Sequence, residues 1–254
     1  MRPASGDRPV NITAAVADLD RLLREAGSAE RAVNERRYLK SDLDFYGVSV
    51  PAIKRIVGSW LAGLEGLQRA DLLAVVERLW SAPVHERRAA AVYLLEVRVA
   101  VLEPADIGLI ERLLRESKTW ALVDDLAASV AGELLDRHPN ADAVLERWAG
   151  DADFWIRRSA LLAHLLALRG GRGDFERFTR YADSMLEEKE FFIRKAIGWV
   201  LRDTARKRPD MVYDWILPRA ARASGVTTRE VVKRLSPEQV ENLNSARAAI
   251  TKQG

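Results

Sequence analysis

Apolar residues recur along this chain at spacings of three and four, and no sustained stretch alternates between apolar and polar positions. Such spacing places the apolar side chains on one face of a helix, whereas alternation would indicate strands. Prolines fall where the periodic stretches begin or end. The pattern predicts an all-α protein with helices near residues 12–26, 28–39, 50–65, 70–80, 84–101, 105–116, 119–137, 140–149, 154–169, 174–187, 191–207, 209–223 and 228–250, the last broken near Pro237.

Three of these segments resemble one another: HERRAAAVYLLEVR at 85–98, FWIRRSALLAHLLALR at 154–169 and FFIRKAIGWVLRDTAR at 191–206. Their basic pairs begin at Arg87, Arg157 and Arg194. A fourth unit fits between the first two with Asp124 in the same position, which gives steps of 37, 33 and 37 residues. Repeats of this length with two helices each are typical of an α-solenoid.

The Trp-x-x-Leu-Gly signature of tetratricopeptide repeats is absent from the chain. The sequence therefore predicts HEAT-like antiparallel helix pairs, stacked into a curved α-solenoid with a concave binding face. This single domain is expected over residues 11–250, after a disordered tail at residues 1–10.

Composition excludes several classes of chemistry. The 254 residues are 48% hydrophobic and 30% charged, an ordinary folded composition, and they include no cysteine. Disulfides, thiolate nucleophiles and cysteine-held metals are thereby excluded. No apolar run approaches the ~20 residues that span a bilayer, and MRPASGDRPV at the N-terminus lacks the apolar core of a signal peptide. A cytoplasmic protein, in the bacterial cytosol or nucleoid, is expected.

The net charge is only +3, so electrostatics must depend on where the charges lie. On the helix predicted at 191–207, Lys195, Trp199, Arg202 and Arg206 form a line separate from the apolar stripe. Cations interleaved with a large aromatic ring are typical of nucleic-acid binding, with cations for phosphates and the ring for a base or sugar. The alternative is a solvated basic face with a partly buried tryptophan.

In the repeat positions that match Lys195, Arg88 and Arg158 continue the basic column. The second unit interrupts the column with Asp124 and Asp125. Because a carboxylate weakens binding to phosphates, this interruption suggests a chemical task. The repeat alignment alone does not choose between the two aspartates.

Trp120 precedes Asp124 by four residues and so shares its helix face, which favours Asp124 over its neighbour. An indole beside a carboxylate suits a flat, positively charged substrate, since both groups stabilise positive charge. The alternative is a packing tryptophan beside a surface or capping aspartate.

Four segments together resemble the AlkD-type DNA alkylation-repair glycosylases. They are RRYLKSDLDFYGVSVP at 36–51, KTWALVDD at 118–125, DFWIRRSALL at 153–162 and EFFIRKAIGWVLRD at 190–203. The resemblance runs from about residue 12 to 235, in the expected order. One departure is Thr119, because that family often has a second tryptophan at this position.

The resemblance implies a monofunctional DNA glycosylase of base excision repair. Such an enzyme hydrolyses the N-glycosidic bond of cationic N3- or N7-alkylated purines in double-stranded DNA, without cofactor or metal, and is expected to act as a monomer. Trp120, Asp124 and Trp199 would line the lesion cleft, and Arg158 would lie near a phosphate. Asp124 would stabilise the oxocarbenium ion or position water. The size of the adduct, simple methyl or bulky, stays open.

Further DNA contacts are expected from Lys195, Arg202, Lys118, Arg88 and Tyr38. His85, His138 and His164 are scattered without metal-ligand spacing. The alternative function is a catalytically inactive HEAT-like module that binds DNA or a protein. The glycosylase is favoured, because a pure DNA binder would gain affinity by replacing Asp124 with a cation.

Overall fold

The computed structural model describes residues 11–64, 67–138 and 142–251. Across these residues the chain is helical, with an isolated β-bridge between Asp44 and Val84, and the predicted all-α class is confirmed. The tail predicted at residues 1–10 lies outside the described residues. The helices are α1 (Ile12–Glu25), α2 (Ala29–Leu39), α3 (Val50–Ala62), α4 (Arg69–Trp80), α5 (His85–Val97), α6 (Ile107–Ser117), α7 (Trp120–Asp125), α8 (Gly132–Asp136), α9 (Asp142–Ala149), α10 (Phe154–Leu162), α11 (Leu165–Arg169), α12 (Phe175–Met185), α13 (Phe191–Thr204), α14 (Pro209–Ile216), α15 (Gly225–Val231) and α16 (Pro237–Thr251).

Local sequence explains where the helices begin. Several helices follow a residue whose side chain accepts a hydrogen bond from a backbone N–H of the first turn, which satisfies a donor that has no partner inside the helix. These capping residues are Asn11, Ser28, Ser49, Asp153, Asp174, Glu190 and Ser224. Helices α14 and α16 begin at a proline, where the missing N–H costs nothing.

Several predicted helices are divided in the structure. The segment predicted at 209–223 ends as an α-helix at Ile216, because Pro218 has no N–H to continue the bonding pattern. The segment predicted at 154–169 consists of two helices, α10 and α11. The predicted break near Pro237 lies between α15 and α16.

Polar contacts between successive helical pairs recur at sequence separations of 34 to 36 residues. Examples are Trp80 with Glu116, Arg169 with Asp203, and Arg219 with Asp183. These separations match the repeat steps that the sequence predicts.

The chain forms two compact units, Met1–Leu126 and Ala127–Gly254, called here the N-terminal and C-terminal units. In the N-terminal unit α1, α3, α4 and α5 pack together, and in the C-terminal unit α13 packs on α10 and α15. The single domain over 11–250 stays a prediction. Within the described residues, no helix has both the length and the apolar character needed to cross a bilayer.

A buried carboxylate fixes the loop between α2 and α3. Glu86, which is fully buried on α5, accepts hydrogen bonds from the backbone N–H groups of Tyr46, Gly47 and Val48 at 2.9, 2.7 and 3.1 Å. Gly47 has φ +80°, and a Cβ there would lie 2.1 Å from the carbonyl oxygen of Ser28 at the start of α2. The three hydrogen bonds fix this loop, and the absence of a side chain at Gly47 lets the loop lie against the start of α2.

We expect Glu86→Gln to lower the free energy of unfolding by about 2–3 kcal/mol, because an amide has one acceptor oxygen and would turn its NH₂ toward backbone donors. Urea denaturation followed by circular dichroism measures the change. The exposed Glu241→Gln is the control, with an expected effect within about 0.5 kcal/mol. Equal effects of the two variants would contradict this role of Glu86.

Candidate active site and nucleic-acid interface

Helix α7 holds the aromatic–carboxylate pair. Its buried residues Leu122 and Val123 anchor it in the N-terminal unit. Trp120 and Asp124 are both half-buried, and their spacing of four residues places them on one helix face. The pair therefore has a protein-lined side and a solvent-accessible side, as a substrate-contacting pair requires.

Tyr38, in the last turn of α2, packs against Trp120. Its ring meets the Trp120 ring edge to face, with centroids 6.0 Å apart and an interplanar angle of 90°. Tyr38 is 72% exposed, so the two rings together present aromatic surface to solvent. Edge-to-face packing fixes the ring positions and leaves faces available to a planar group.

The two adjacent aspartates have different surroundings. Asp125 is exposed, yet desolvation by neighbouring protein raises its pKa, as do the charges of Glu96 and Asp124, against the opposing charge of Lys54. Lys54 Nζ lies 3.4 Å from Glu96 Oε2 and 5.0 Å from the centroid of the Tyr93 ring. Asp125 thus interacts with the α3–α5 side of the unit.

Two predicted DNA contacts of the N-terminal unit occupy different settings. Arg88 donates from Nη1 to the carbonyl oxygen of Glu116 at 2.9 Å and lies over the Trp80 ring at 4.9 Å. Burial lowers the pKa of Arg88, and its hydrogen bond to the Glu116 carbonyl oxygen ties it to the last turn of α6. Lys118 is exposed immediately before α7, in the left-handed region with φ 50°. Phosphate contacts of both residues stay predictions.

In the C-terminal unit, Trp199 is half-buried on α13, and a glycine beside it lets α15 approach closely. A Cβ at Gly198 would lie 2.8 Å from Cβ of Glu230 and 3.0 Å from the carbonyl oxygen of Thr227. The absence of a side chain at Gly198 therefore brings Glu230 against α13.

Glu230 is the acceptor for several cations. Lys195 Nζ lies 2.5 Å and Lys233 Nζ 3.0 Å from its Oε1, and Arg202 contacts its Oε2. Burial alone would raise its pKa. Hydrogen bonds from Lys195 and Lys233, with the charges of Lys195 and Arg202, outweigh that effect and lower the pKa of Glu230 to about 2.

A second buried carboxylate, Asp203, also contacts Arg202. Its oxygens lie 2.6 Å from Arg169, 3.2 Å from Arg202 and 3.7 Å from Arg206. Lys195 and Arg202, which the sequence predicts to bind DNA, are thus each held by a buried carboxylate. Their contacts with DNA stay predictions.

Arg158 lies inside the packing of α10 against α13. Its side chain is only 2% exposed, and it donates to the carbonyl oxygen of Phe192 while lying 5.7 Å from that ring's centroid. The guanidinium thus joins α10 to α13 in this conformation. Its phosphate contact would need a change of rotamer and stays a prediction.

Two of the histidines, His85 and His164, are buried. His85 stacks on Phe45 with centroids 4.7 Å apart, and burial lowers its pKa. Burial, with a further contribution from the charge of Arg177, lowers the pKa of His164 to about 4. Across the described residues there is no group of three or more His, Asp or Glu side chains that could hold a metal ion.

The sequence matches a known family, and the fold matches a solved structure. A family model described as DNA alkylation repair enzyme matches residues 19–235, and this chain belongs to that family. A solved structure described as a predicted DNA alkylation repair enzyme from Enterococcus faecalis is similar in fold, with a TM-score of 0.74. The match covers 83% of this chain and 97% of that chain at 22% sequence identity. No curated protein matches significantly.

The surroundings of Glu230 predict an acid-sensitive stability. Its carboxyl contributes stability above its unfolded pKa of 4.5 and loses it as the pH falls through the folded value of about 2. We expect this contribution to be at most about 3 kcal/mol. Glu230→Gln should lower the free energy of unfolding at neutral pH and flatten its decline between these two values, as measured by urea denaturation across pH.

Glu241→Gln, at an exposed position, is the control and should keep the wild-type pH dependence. A Glu230→Gln protein whose stability follows the wild-type pH curve would show that the cations around Glu230 do not lower its pKa.

Proposed function

We propose that this chain is a monofunctional DNA glycosylase that releases cationic N3- or N7-alkylated purines from double-stranded DNA. One observation carries the proposal: Trp120 and Asp124 share a half-buried face of α7, with Tyr38 packed against the indole. Because the chain belongs to the family of DNA alkylation repair enzymes, alkylated DNA is the substrate on which this pair would act.

The chemistry requires stabilisation of a positive charge. Alkylation at N3 or N7 makes the purine cationic, and the C1′–N bond then breaks with its electron pair moving to the base, which leaves neutral. Positive charge appears on the sugar as an oxocarbenium ion. The Asp124 carboxylate stabilises that charge more than the ground state, so it lowers the barrier. Water then adds to C1′ and loses a proton.

Aromatic rings contribute binding of the cationic nucleotide. The faces of Trp120 and Tyr38 are suited to a positively charged base, at about 0.5–2 kcal/mol for each ring. Trp199 is proposed as a further aromatic contact with DNA from the C-terminal unit. Because the leaving group is already cationic, the step needs no general acid, metal or cofactor.

The carboxylate of Asp124 favours chemistry over simple binding. It lies half-buried on the face of α7 that carries Trp120, and a carboxylate repels a phosphate backbone. A catalytically inactive binding module would be weakened by this arrangement, whereas a glycosylase gains stabilisation of the cation.

We expect Asp124→Asn to slow release of N7-methylguanine from duplex DNA by about 10²–10³-fold, because the amide cannot neutralise the developing positive charge. Free base is measured by chromatography under single-turnover conditions. Asp125→Asn is the matched control: it removes a carboxylate from the next residue, which points away from Trp120. Absence of release by the wild type, or equal loss in both variants, would overturn the assignment.

The Tyr38–Trp120 contact gives a second expectation. Tyr38→Ala should reduce single-turnover base release about three- to tenfold, because Trp120 loses the ring that fixes its position. Tyr38→Phe keeps the edge-to-face contact and should release base at nearly the wild-type rate. If the Ala and Phe variants behave alike, the ring contact has no part in catalysis.

A further inference from the structure

A small cavity lies within the C-terminal unit, lined by residues of α8, α9, α11 and α12 and of the turn between α10 and α11. Its volume is about 150 Å³, and we call it the His164 cavity after the residue that forms its polar wall. We propose that it binds an uncharged molecule of about six to eight non-hydrogen atoms, with an apolar body and one group that hydrogen-bonds to Nε2 of His164. Trp120, Asp124 and Trp199 do not line it, so the inference is independent of the proposed function.

The imidazole of His164 supplies the hydrogen-bonding group of the cavity. The residue is 7% exposed, and its Nε2 has no hydrogen-bond partner among the described residues. A buried ring nitrogen without a partner destabilises the folded state, so a molecule that bonds to it recovers that loss. Burial lowers the pKa of His164 to about 4, so the ring is uncharged at neutral pH. Each nitrogen of a neutral imidazole either donates or accepts, and a hydroxyl group on the ligand satisfies both tautomers.

The charged groups at the cavity are paired with opposite charges. Arg177 Nε lies 3.5 Å from Asp174 Oδ2, and Arg172 Nη1 lies 3.5 Å from Asp136 Oδ2. Each pair carries no net charge. A charged ligand would therefore lose hydration without gaining an opposite charge, so the wall favours an uncharged molecule.

Apolar side chains form much of the remaining wall. Leu135 and Leu145 come from α8 and α9, and Ala163 and Ala167 come from the α10–α11 turn and from α11. Gly132 lets α8 lie against that turn, because a Cβ there would be 2.4 Å from the carbonyl oxygen of Ala163. An apolar cavity of about 150 Å³ admits a molecule the size of benzene. The cavity thus combines room for one ring with a single polar contact at His164.

The test uses phenol as the probe and toluene as its matched control, because the two molecules are similar in size and only phenol has a hydroxyl group. The chain has three histidines, so a long-range ¹⁵N–¹H spectrum resolves their ring nitrogens. We expect phenol to shift the His164 signals saturably, with a Kd of about 1 mM or below. Toluene should bind about three- to tenfold more weakly, because it cannot hydrogen-bond to Nε2.

His85 is the internal control. It is also 7% exposed, and its buried Nδ1 has no hydrogen-bond partner in the described part of the chain. It stacks on Phe45 in the N-terminal unit and does not line the His164 cavity, so its signals should not move with phenol. Equal shifts at His85 and His164 would overturn the proposal, because they would show non-specific binding.

Two variants separate the space from the hydrogen bond, with affinities measured by saturation-transfer NMR of the probes. Ala167→Leu fills the cavity and should abolish binding of both probes, whereas Ala248→Leu, at an exposed position of α16, should keep it. His164→Phe keeps a ring and removes Nε2. It should lower phenol affinity about three- to tenfold and change toluene affinity by less than about twofold. Thermal unfolding checks that each variant is folded.

Absence of a saturable shift at His164 in the wild type would show that the cavity holds water only, and would overturn the proposal. Equal phenol affinity in the wild type and in His164→Phe would also overturn it, because Nε2 would then have no part in binding. Neither result bears on base release by Asp124, which is measured on DNA.

Discussion

The fold depends on basic side chains that join one helix to another. In each basic pair, the first arginine donates back to a carbonyl oxygen near a preceding helix: Arg87 to Arg78, Arg157 to Asp151, and Arg194 to Glu188. The second member reaches forward, as Arg158 does to Phe192 and Lys195 to Glu230. Carbonyl groups at helix C-termini lack intrahelical partners, so an arginine there supplies a hydrogen-bond donor and interacts favourably with the helix dipole.

Cations at equivalent positions of this repeated motif have different surroundings. Arg158 and Lys195 occupy equivalent positions in the sequence, but one is buried against a backbone carbonyl and the other lies partly exposed above a buried carboxylate. The basic residues that the sequence aligns at one repeat position therefore include both buried and partly exposed cations. What distinguishes them is the acceptor: a carbonyl ties the cation into the packing, whereas a buried carboxylate can hold it at the surface.

Periodicity predicted what depends on neighbours along one helix. The all-α class, the break near Pro237 and the shared face of Trp120 and Asp124 all follow from the sequence of one segment. Contacts between distant segments do not. The contact of Tyr38 with Trp120 and the close approach of Glu230 to Gly198 form only when the helices pack. Spacing along the chain identifies a helix face but not the residues against which that face packs. The segment at 209–223 divides at Pro218, which the sequence shows, whereas the segment at 154–169 divides through a short turn that periodicity does not detect.

The form of α7 limits how far the Trp120–Asp124 face extends. The helix begins after Lys118, whose left-handed backbone ends α6, and at Leu126 the α-helical pattern changes to a π-helical turn over Leu126–Ala131. A π-helical turn has wider hydrogen bonding and shifts the angular register of the residues after it. The aromatic–carboxylate face is therefore about one turn long and cannot continue along the chain. Single π-helical turns are frequent at functional sites, so the position of this one directly after Asp125 agrees with the role proposed for Asp124.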